Sequence, residues 1–157
     1  MASEMMEAIR EMMEGMEGND YYATEDFDAM RATVDQMSQM QTIAEGIGFE
    51  SVELGGVPCD IATGDDPRGD VVVLYLHGGA FITGNALDSR GYISDVADVC
   101  GCPAVGVTYR CAPENKFPAA PEDCYAVYKA LLERFPGAAI VCVGDSAGAT
   151  LCLDVAI

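Results

Sequence analysis

One serine in this sequence carries the residue pattern most able to do chemistry. In the stretch AAIVCVGDSAGATLCLDVAI, Ser146 lies between Gly144 and Gly148 and follows a β-branched run. The pattern predicts a strand, a tight turn and then a helix from Ala147 onward. That context pushes a serine hydroxyl outward and directs helix N–H groups toward it. We therefore predict that Ser146 is a nucleophile; a glycine-rich turn with an incidental serine is the structural alternative.

A second glycine-rich stretch, LYLHGGAF, could stabilise the charge that such a nucleophile creates. Acyl transfer needs N–H donors at the carbonyl oxygen as it becomes an oxyanion. Gly78 and Gly79 directly follow an apolar run predicted as the third strand, and Ala147 follows the serine. We predict that these three N–H groups form an oxyanion hole. His77, the one histidine of the sequence, lies in the same loop and is interpreted as a structural residue.

The segments around these motifs alternate between strand and helix patterns. The predicted strands are the two arms of FESVELGGVPCDIATG, joined at Gly55-Gly56, then VVVLYL, PAVGVTYR and AAIVCVG. Helices are predicted over residues 88–100, with Tyr92, Val96 and Val99 at helical spacing, over 120–135, with Tyr125, Val127, Tyr128, Leu131 and Leu132 inward, and after Ser146. A hairpin followed by βαβαβα predicts an α/β domain over residues 46–157, with a mostly parallel sheet and flanking helices.

Residues 1–45 have a different composition from the rest of the chain. All nine methionines fall within the first forty residues, and apolar residues recur at intervals of three and four. The spacing predicts two amphipathic helices, over residues 3–16 and 25–45. Core packing is the default role of their apolar stripes. The adaptable methionine side chains also suggest a cover that moulds itself around varied acyl groups.

Composition argues against several classes of partner. The 157 residues carry 8 basic and 26 acidic side chains, a net charge of −18, which repels nucleic acid and anionic membrane surfaces. The acidic N-terminus is unlike a secretory signal, and no apolar run is long enough to cross a membrane. Seven cysteines without a CxxC pair indicate reduced thiols in a cytoplasmic protein, and Cys100-Gly-Cys102 alone does not make a metal site. We expect neither a metal nor a cofactor.

Three motifs together resemble a known family. HGGAF, then VTYRCAPENKFPAAPEDCYAVYKAL, then VGDSAGA are similar to the motifs of the hormone-sensitive-lipase-like α/β-hydrolases, the bacterial carboxylesterase and lipase type. The match covers residues 70–157, and residues 1–45 would correspond to the family's N-terminal cap helices. The resemblance implies an α/β-hydrolase fold with Ser146 as nucleophile. Gly78, Gly79 and Ala147 would be the oxyanion donors, within motifs that His77, Gly144, Asp145 and Gly148 complete.

The sequence also departs from the family pattern. Ala80 stands where the third glycine of HGGG is usual, and Cys111 where YRLAPE has leucine. The family's order is serine, then an acid, then a histidine, and no histidine follows Ser146. Asp145 and Asp154 cannot replace the triad acid, because an acid without a histidine has nothing to orient. We expect a fragment truncated after the nucleophile helix, and its expected protein partners are a C-terminal half in trans or further copies of the chain in a homo-oligomer.

The resemblance implies a serine hydrolase that cleaves short- to medium-acyl carboxylic esters through an acyl-enzyme, with a small-molecule ester as substrate and no cofactor. We expect the 157-residue chain alone to be nearly inactive. Two other functions remain open on the sequence: a non-catalytic module that binds a small ligand, and an amidase or arylformamidase on the same fold. GDSAG does not distinguish an ester from an amide substrate.

Overall fold

The computed structural model describes residues 26–157. Its helices are α1 (Phe27–Ser38), α2 (Arg90–Cys100), α3 (Ala119–Arg134) and α4 (Ala147–Ala156), with a short 3-10 helix at Leu87–Ser89. Its strands are β1 (Gly48–Leu54), β2 (Val57–Thr63), β3 (Val71–Leu76), β4 (Ala104–Val107) and β5 (Ala139–Gly144). The helix predicted over residues 3–16 lies outside the described residues. Within them, no helix combines the length and apolar character needed to cross a bilayer.

The five strands form one sheet in the order β1-β2-β4-β3-β5. β3 pairs in parallel with β4 and β5, whereas β1 pairs antiparallel with β2, and β2 antiparallel with β4. The predicted α/β architecture is confirmed, but the sheet is mixed because the N-terminal hairpin adds antiparallel pairings. The expected pairing of the last strand with the third is also confirmed, with Leu76 opposite Gly144. The loops that follow β3 and β5 therefore leave the sheet side by side.

Strand β3 is buried on both faces, as its continuous apolar run predicts. One face carries Val72, Leu74 and Leu76 and belongs to a core that α3 and α4 complete with Val127, Leu131, Leu151 and Val155. Val73 and Tyr75 lie on the other face, in a smaller core with Ile93 and Ala97 of α2. Because helices cover both faces and strands pair with both edges, β3 is held firmly within the sheet. Its last residues define the position of the loop that follows.

Helix α1 is shorter than the predicted 25–45 segment. It begins after Asp26, whose carboxylate accepts the Ala29 N–H at 3.0 Å, and it ends at Ser38. Beyond it, the Gln41 side chain donates to the Asp88 carbonyl at 2.7 Å and accepts from the Gly91 N–H at 2.8 Å. Gln41 thus satisfies a free donor in the first turn of α2. The chain leaves the helix early because these contacts need an extended segment, which periodicity alone does not reveal.

Two helices present faces other than those predicted. In α2, Tyr92 and Val99 are exposed, and the buried face consists of Gly91, Ile93, Ser94 and Ala97. In α3, Val127 and Leu131 are buried as predicted, but Tyr125 and Leu132 are largely exposed. Small side chains let α2 approach the sheet closely, so the large apolar residues do not mark its inner face.

The orientation of α3 predicts that truncating two neighbouring leucines will lower the free energy of unfolding by different amounts. Leu131 is fully buried, whereas Leu132 is 45% exposed. We expect Leu131→Ala to lower the free energy of unfolding by about 2–5 kcal/mol, because it removes buried methyl groups and leaves a cavity. Leu132→Ala, the matched control, should lower it by less than about 1 kcal/mol. Urea unfolding measures both, and an equal or larger loss for Leu132→Ala would contradict this orientation.

Candidate active site

Ser146 lies on a strained turn between β5 and α4. Its backbone has φ 49° and ψ −116°, a conformation that non-glycine residues rarely adopt. The residue is exposed and immediately precedes the first turn of α4. Such strain persists only where the surrounding structure enforces it, and it is typical of functional sites. The predicted strand–turn–helix arrangement is therefore present, with the serine hydroxyl at the N-terminus of a helix.

Gly144 and Gly148 are required by close backbone packing. A Cβ atom on Gly148 would collide with the carbonyl oxygen of Leu76, at the end of β3. A Cβ on Gly144 would lie 2.6 Å from the carbonyl carbon of Gly148. These two glycines thus allow the first turn of α4 to pack against the end of β3. This contact places Ser146 beside the loop that leaves β3.

That loop, residues 77–83, turns sharply through backbone conformations with positive φ. Gly79, Ala80 and Phe81 have φ values of 106°, 54° and 62°. The Gly79 carbonyl accepts the N–H groups of Ile82 at 2.9 Å and Thr83 at 3.0 Å, which closes the turn. Gly79 also has no room for a side chain, because a Cβ would collide with the Thr83 carbonyl. Three consecutive residues of this kind need support from their surroundings.

Asp145 joins the turn that carries Ser146 to this loop. Its Oδ1 accepts the Gly78 N–H at 3.0 Å and the Tyr75 hydroxyl at 2.7 Å. Burial, together with the bond to Asp145, raises the pKa of Tyr75, so the phenol remains a neutral donor. A side chain on Gly78 would collide with the Asp145 carboxylate. Asp145 therefore links the two functional segments directly.

The bond to Asp145 corrects one predicted oxyanion donor. The Gly78 N–H is already used, whereas the N–H groups of Gly79, Ala80 and Ala147 have no acceptor within residues 26–157. Of the three N–H groups predicted as oxyanion donors, those of Gly79 and Ala147 are thus not engaged within these residues, and neither is that of Ala80. The sequence could not show this, because the motif gives the order of the loop residues but not the direction in which each N–H points.

His77 is buried beneath the loop. Its ring stacks on Tyr109, with centroids 4.0 Å apart, and its Nδ1 lies 2.7 Å from the Gly78 carbonyl oxygen. The Tyr109 hydroxyl donates to the His77 carbonyl at 2.7 Å. Burial lowers the pKa of His77, and its Nε2 has no hydrogen-bond partner within the described part of the chain. The His77 ring thus packs against the loop and supports it, as the interpretation of His77 as a structural residue expects.

A cleft of about 360 Å³ adjoins the helix that begins at Ser146. Helix α4 contributes Thr150 and Asp154 to its lining. The apolar lining residues come from the loops and from α3: Phe81, Ala112, Phe117, Ala120 and Pro121. Thr150 lies one helical turn beyond Ser146. Within residues 26–157, no group of three or more histidine, cysteine or carboxylate side chains is placed to hold a metal ion.

Comparison of the sequence with known proteins shows the family to which the chain belongs. The family model of the alpha/beta hydrolase fold matches residues 73–157, so the chain belongs to that family. It is 34% identical over 104 residues to the versiconal hemiacetal acetate esterase of Emericella nidulans, covering 66% of this chain and 36% of that protein. It is 30% identical over 124 residues to human hormone-sensitive lipase, covering 76% of this chain and 11% of that protein.

Solved structures show the same relationship. A hormone-sensitive lipase from a metagenome library superposes with a TM-score of 0.80 at 33% identity, over 94% of this chain and 52% of that one. An esterase of the bacterial hormone-sensitive lipase family gives a TM-score of 0.77 at 34% identity, over 85% and 46%. The resemblance to the hormone-sensitive-lipase-like branch is confirmed. The chain spans about half the length of these structural relatives.

The buried state of His77 predicts a pH dependence of stability. The folded protein disfavours the charged imidazole, whereas the unfolded chain titrates near its ordinary pKa of about 6.5. The unfolded state therefore binds more protons just below that pH, and the free energy of unfolding falls as pH drops through it. An NMR titration of the one histidine measures the folded pKa. A midpoint at or above the value in urea-unfolded protein would contradict this burial.

The Tyr75–Asp145–Gly78 contact predicts an effect of one missing hydroxyl. Tyr75→Phe keeps the ring and removes one of the two bonds on Asp145, so we expect a loss of about 0.5–2 kcal/mol in the free energy of unfolding. Amide exchange at Gly78 should also become faster. Tyr92→Phe is the control, because Tyr92 is 62% exposed and stacks on Tyr75. Equal effects of the two substitutions would contradict a specific role for the Tyr75 hydroxyl.

Proposed function

We propose that this chain supplies the nucleophile and the oxyanion hole of a serine carboxylic-ester hydrolase. The observation that carries the proposal is the strained Ser146 turn, joined through Asp145 to a glycine loop whose next N–H groups find no acceptor among residues 26–157. A nucleophile next to unpaired backbone donors at a helix N-terminus is the arrangement that acyl transfer requires. Relatives named as esterases and lipases support the same reaction class.

Each part of the site has a role in the proposed reaction. The Ser146 oxygen attacks the ester carbonyl, and the N–H groups of Gly79, Ala80 and Ala147 donate to the oxygen as it becomes negative. The alcohol leaves with a proton, an acyl-serine forms, and water hydrolyses it. One such donor contributes about 10²–10³ in kcat in other hydrolases. The positive end of the α4 dipole favours the same charge.

The proton of Ser146 needs a base that His77 does not provide. The His77 ring is buried against Tyr109 and bonded to the Gly78 carbonyl. We propose that an acid and a histidine outside these 157 residues complete the triad, either in cis or from a second chain that carries them. In that arrangement the histidine accepts the serine proton and returns it to the leaving alcohol.

The substrate class follows from the cleft and from the names of the relatives. Two relatives are named for release of an acetyl group, a hemiacetal acetate esterase and an acetyl-hydrolase of Streptomyces hygroscopicus. The apolar cleft beside α4 has room for a short or medium acyl or alcohol group. We therefore propose small carboxylic esters as substrates.

We assign residues 1–45 to a cap and residues 46–157 to the catalytic domain. Helix α1 contacts the loops after β3 and β4 from outside the sheet, as a cap segment would. All seven cysteines are free thiols, which fits a reducing, cytoplasmic location.

The decisive experiment compares the chain alone with the chain completed by a half that carries the acid and histidine. We expect slow p-nitrophenyl butyrate hydrolysis by the chain alone and an increase of at least about 10³-fold on completion. Ser146→Ala should abolish the increase, and Ser51→Ala on exposed β1 should not. Fluorophosphonate should label only protein that retains Ser146.

Three outcomes would overturn parts of this proposal. Rapid turnover by the isolated chain, lost in Ser146→Ala, would contradict the external base. Absence of fluorophosphonate labelling in the completed protein would contradict the nucleophile and favour a binding module. Anilide hydrolysis as fast as ester hydrolysis would favour an amidase.

A further inference from the structure

The guanidinium of Arg31 on α1 contacts two loops of the catalytic domain at once. Its Nε donates to the Ile82 carbonyl at 3.0 Å, and its Nη2 donates to the Ala112 carbonyl at 2.9 Å. Both terminal nitrogens also donate to the Glu114 carboxylate, at 2.9 and 2.7 Å. These partners are 51 to 83 residues away along the chain. One side chain therefore ties α1 to the loop after β3 and to the loop after β4.

One contacted carbonyl, that of Ile82, belongs to the loop that shapes the proposed oxyanion hole, and the other, that of Ala112, belongs to a segment bonded to that loop. Ile82 closes the turn on Gly79, and the Ala112 N–H donates to the Phe81 carbonyl at 2.7 Å. Ala80 and Phe81, which lie between Gly79 and Ile82, both have positive φ, a conformation that costs about 1–2 kcal/mol for each residue with a side chain. Such a loop keeps its shape only where neighbouring groups hold it. Arg31 contacts the Ile82 end of the loop, and Asp145 contacts its Gly78 end.

Only an arginine can make this set of contacts. Its planar fork presents several donors in fixed directions, which suits one carboxylate and two carbonyls, whereas a lysine ammonium is a compact point charge. The hydrogen bond from Arg31 lowers the pKa of Glu114 to about 2, so the pair stays charged over the working pH range. Asp28 is a lesser partner, 3.8 Å from Arg31 with its own side chain 97% exposed.

We propose that Arg31 is a positioning residue of the oxyanion loop, so that docking of α1 and the donor conformation of residues 79–83 form together. The catalytic meaning of this coupling rests on the proposed hydrolase function. The coupling itself is a property of the chain without substrate. Because coupling is reciprocal, whatever orders the loop also favours the docked position of α1. The cap helix then acts on the reaction through the loop as well as by covering the site.

Amide exchange of the unliganded chain tests the coupling. In Arg31→Lys we expect the hydrogen-bonded N–H groups of Ile82, Thr83 and Ala112 to exchange about tenfold faster, since charge-assisted bonds to the loops are lost. In Glu114→Gln, which frees one side of the guanidinium, we expect an increase of about fivefold. Asp28→Asn and Arg68→Lys are matched controls that should leave the loop unchanged. Arg68 pairs with Asp70 on the surface.

The distribution of the exchange decides between coupling and simple fastening. Faster exchange in α1 with unchanged exchange at Ile82, Thr83 and Ala112 would show that Arg31 only holds the helix in place and would overturn the proposal. A uniform increase over the whole chain would overturn it as well, because that result reports global destabilisation. If Arg31→Lys does not fold, Glu114→Gln supplies the same test, and an unchanged loop in that variant overturns the proposal.

Kinetics of the completed protein provide the second measurement. A positioning role predicts that Arg31→Lys lowers kcat by about tenfold or more with little change in KM, since oxyanion donors act in the transition state. A rise in KM alone would contradict it. Exchange does not depend on Ser146 reactivity, so failure of the coupling leaves the hydrolase proposal intact. An inactive completed protein with a coupled loop would instead count against the hydrolase proposal.

Discussion

The close approach of α4 to the end of β3 is the constraint on which the site depends. Gly148 rests against the Leu76 carbonyl, and Gly144 against Gly148, with no space for a Cβ at either position. Because β5 runs parallel to β3 and ends beside it, this packing brings Ser146 next to the loop that begins at His77. The strained conformation of Ser146 follows from a chain that must leave one strand and start a helix above its neighbour.

The loop after β3 is held from three directions. Asp145 fixes its start through Gly78, His77 and Tyr109 stack beneath it, and Arg31 contacts its far end. These supports make a succession of positive φ angles tolerable, and they leave the N–H groups of Gly79 and Ala80 without acceptors in the described residues. Strain and unpaired donors occur here together, which is the combination expected where a site is organised before its substrate binds.

The polar residues of the second motif, VTYRCAPENKFPAAPED, also have structural partners. Tyr109 donates to the His77 carbonyl, and Arg110 makes a two-nitrogen contact with Asp123, at 2.8 Å for its shortest bond. Glu114 receives Arg31 from the cap helix. The motif thus connects the cap, the loop after β3 and the start of α3. In the proposed reaction these residues would act indirectly, by holding the groups that touch the substrate.

The sequence by itself determined the strand and helix order, the nucleophile turn and the position of the glycine loop. These depend on local signals: a continuous apolar run at Val71–Leu76, β-branched residues before Gly144, and glycines at the turns. The tertiary structure decided which N–H groups of the loop remain free, which faces of α2 and α3 are buried, and where α1 ends. The Gly78 N–H donates a hydrogen bond to Asp145, and Arg31 contacts Ala112, which is 81 residues away in the sequence. Such contacts join residues that are distant along the chain, and spacing within one segment carries no information about them.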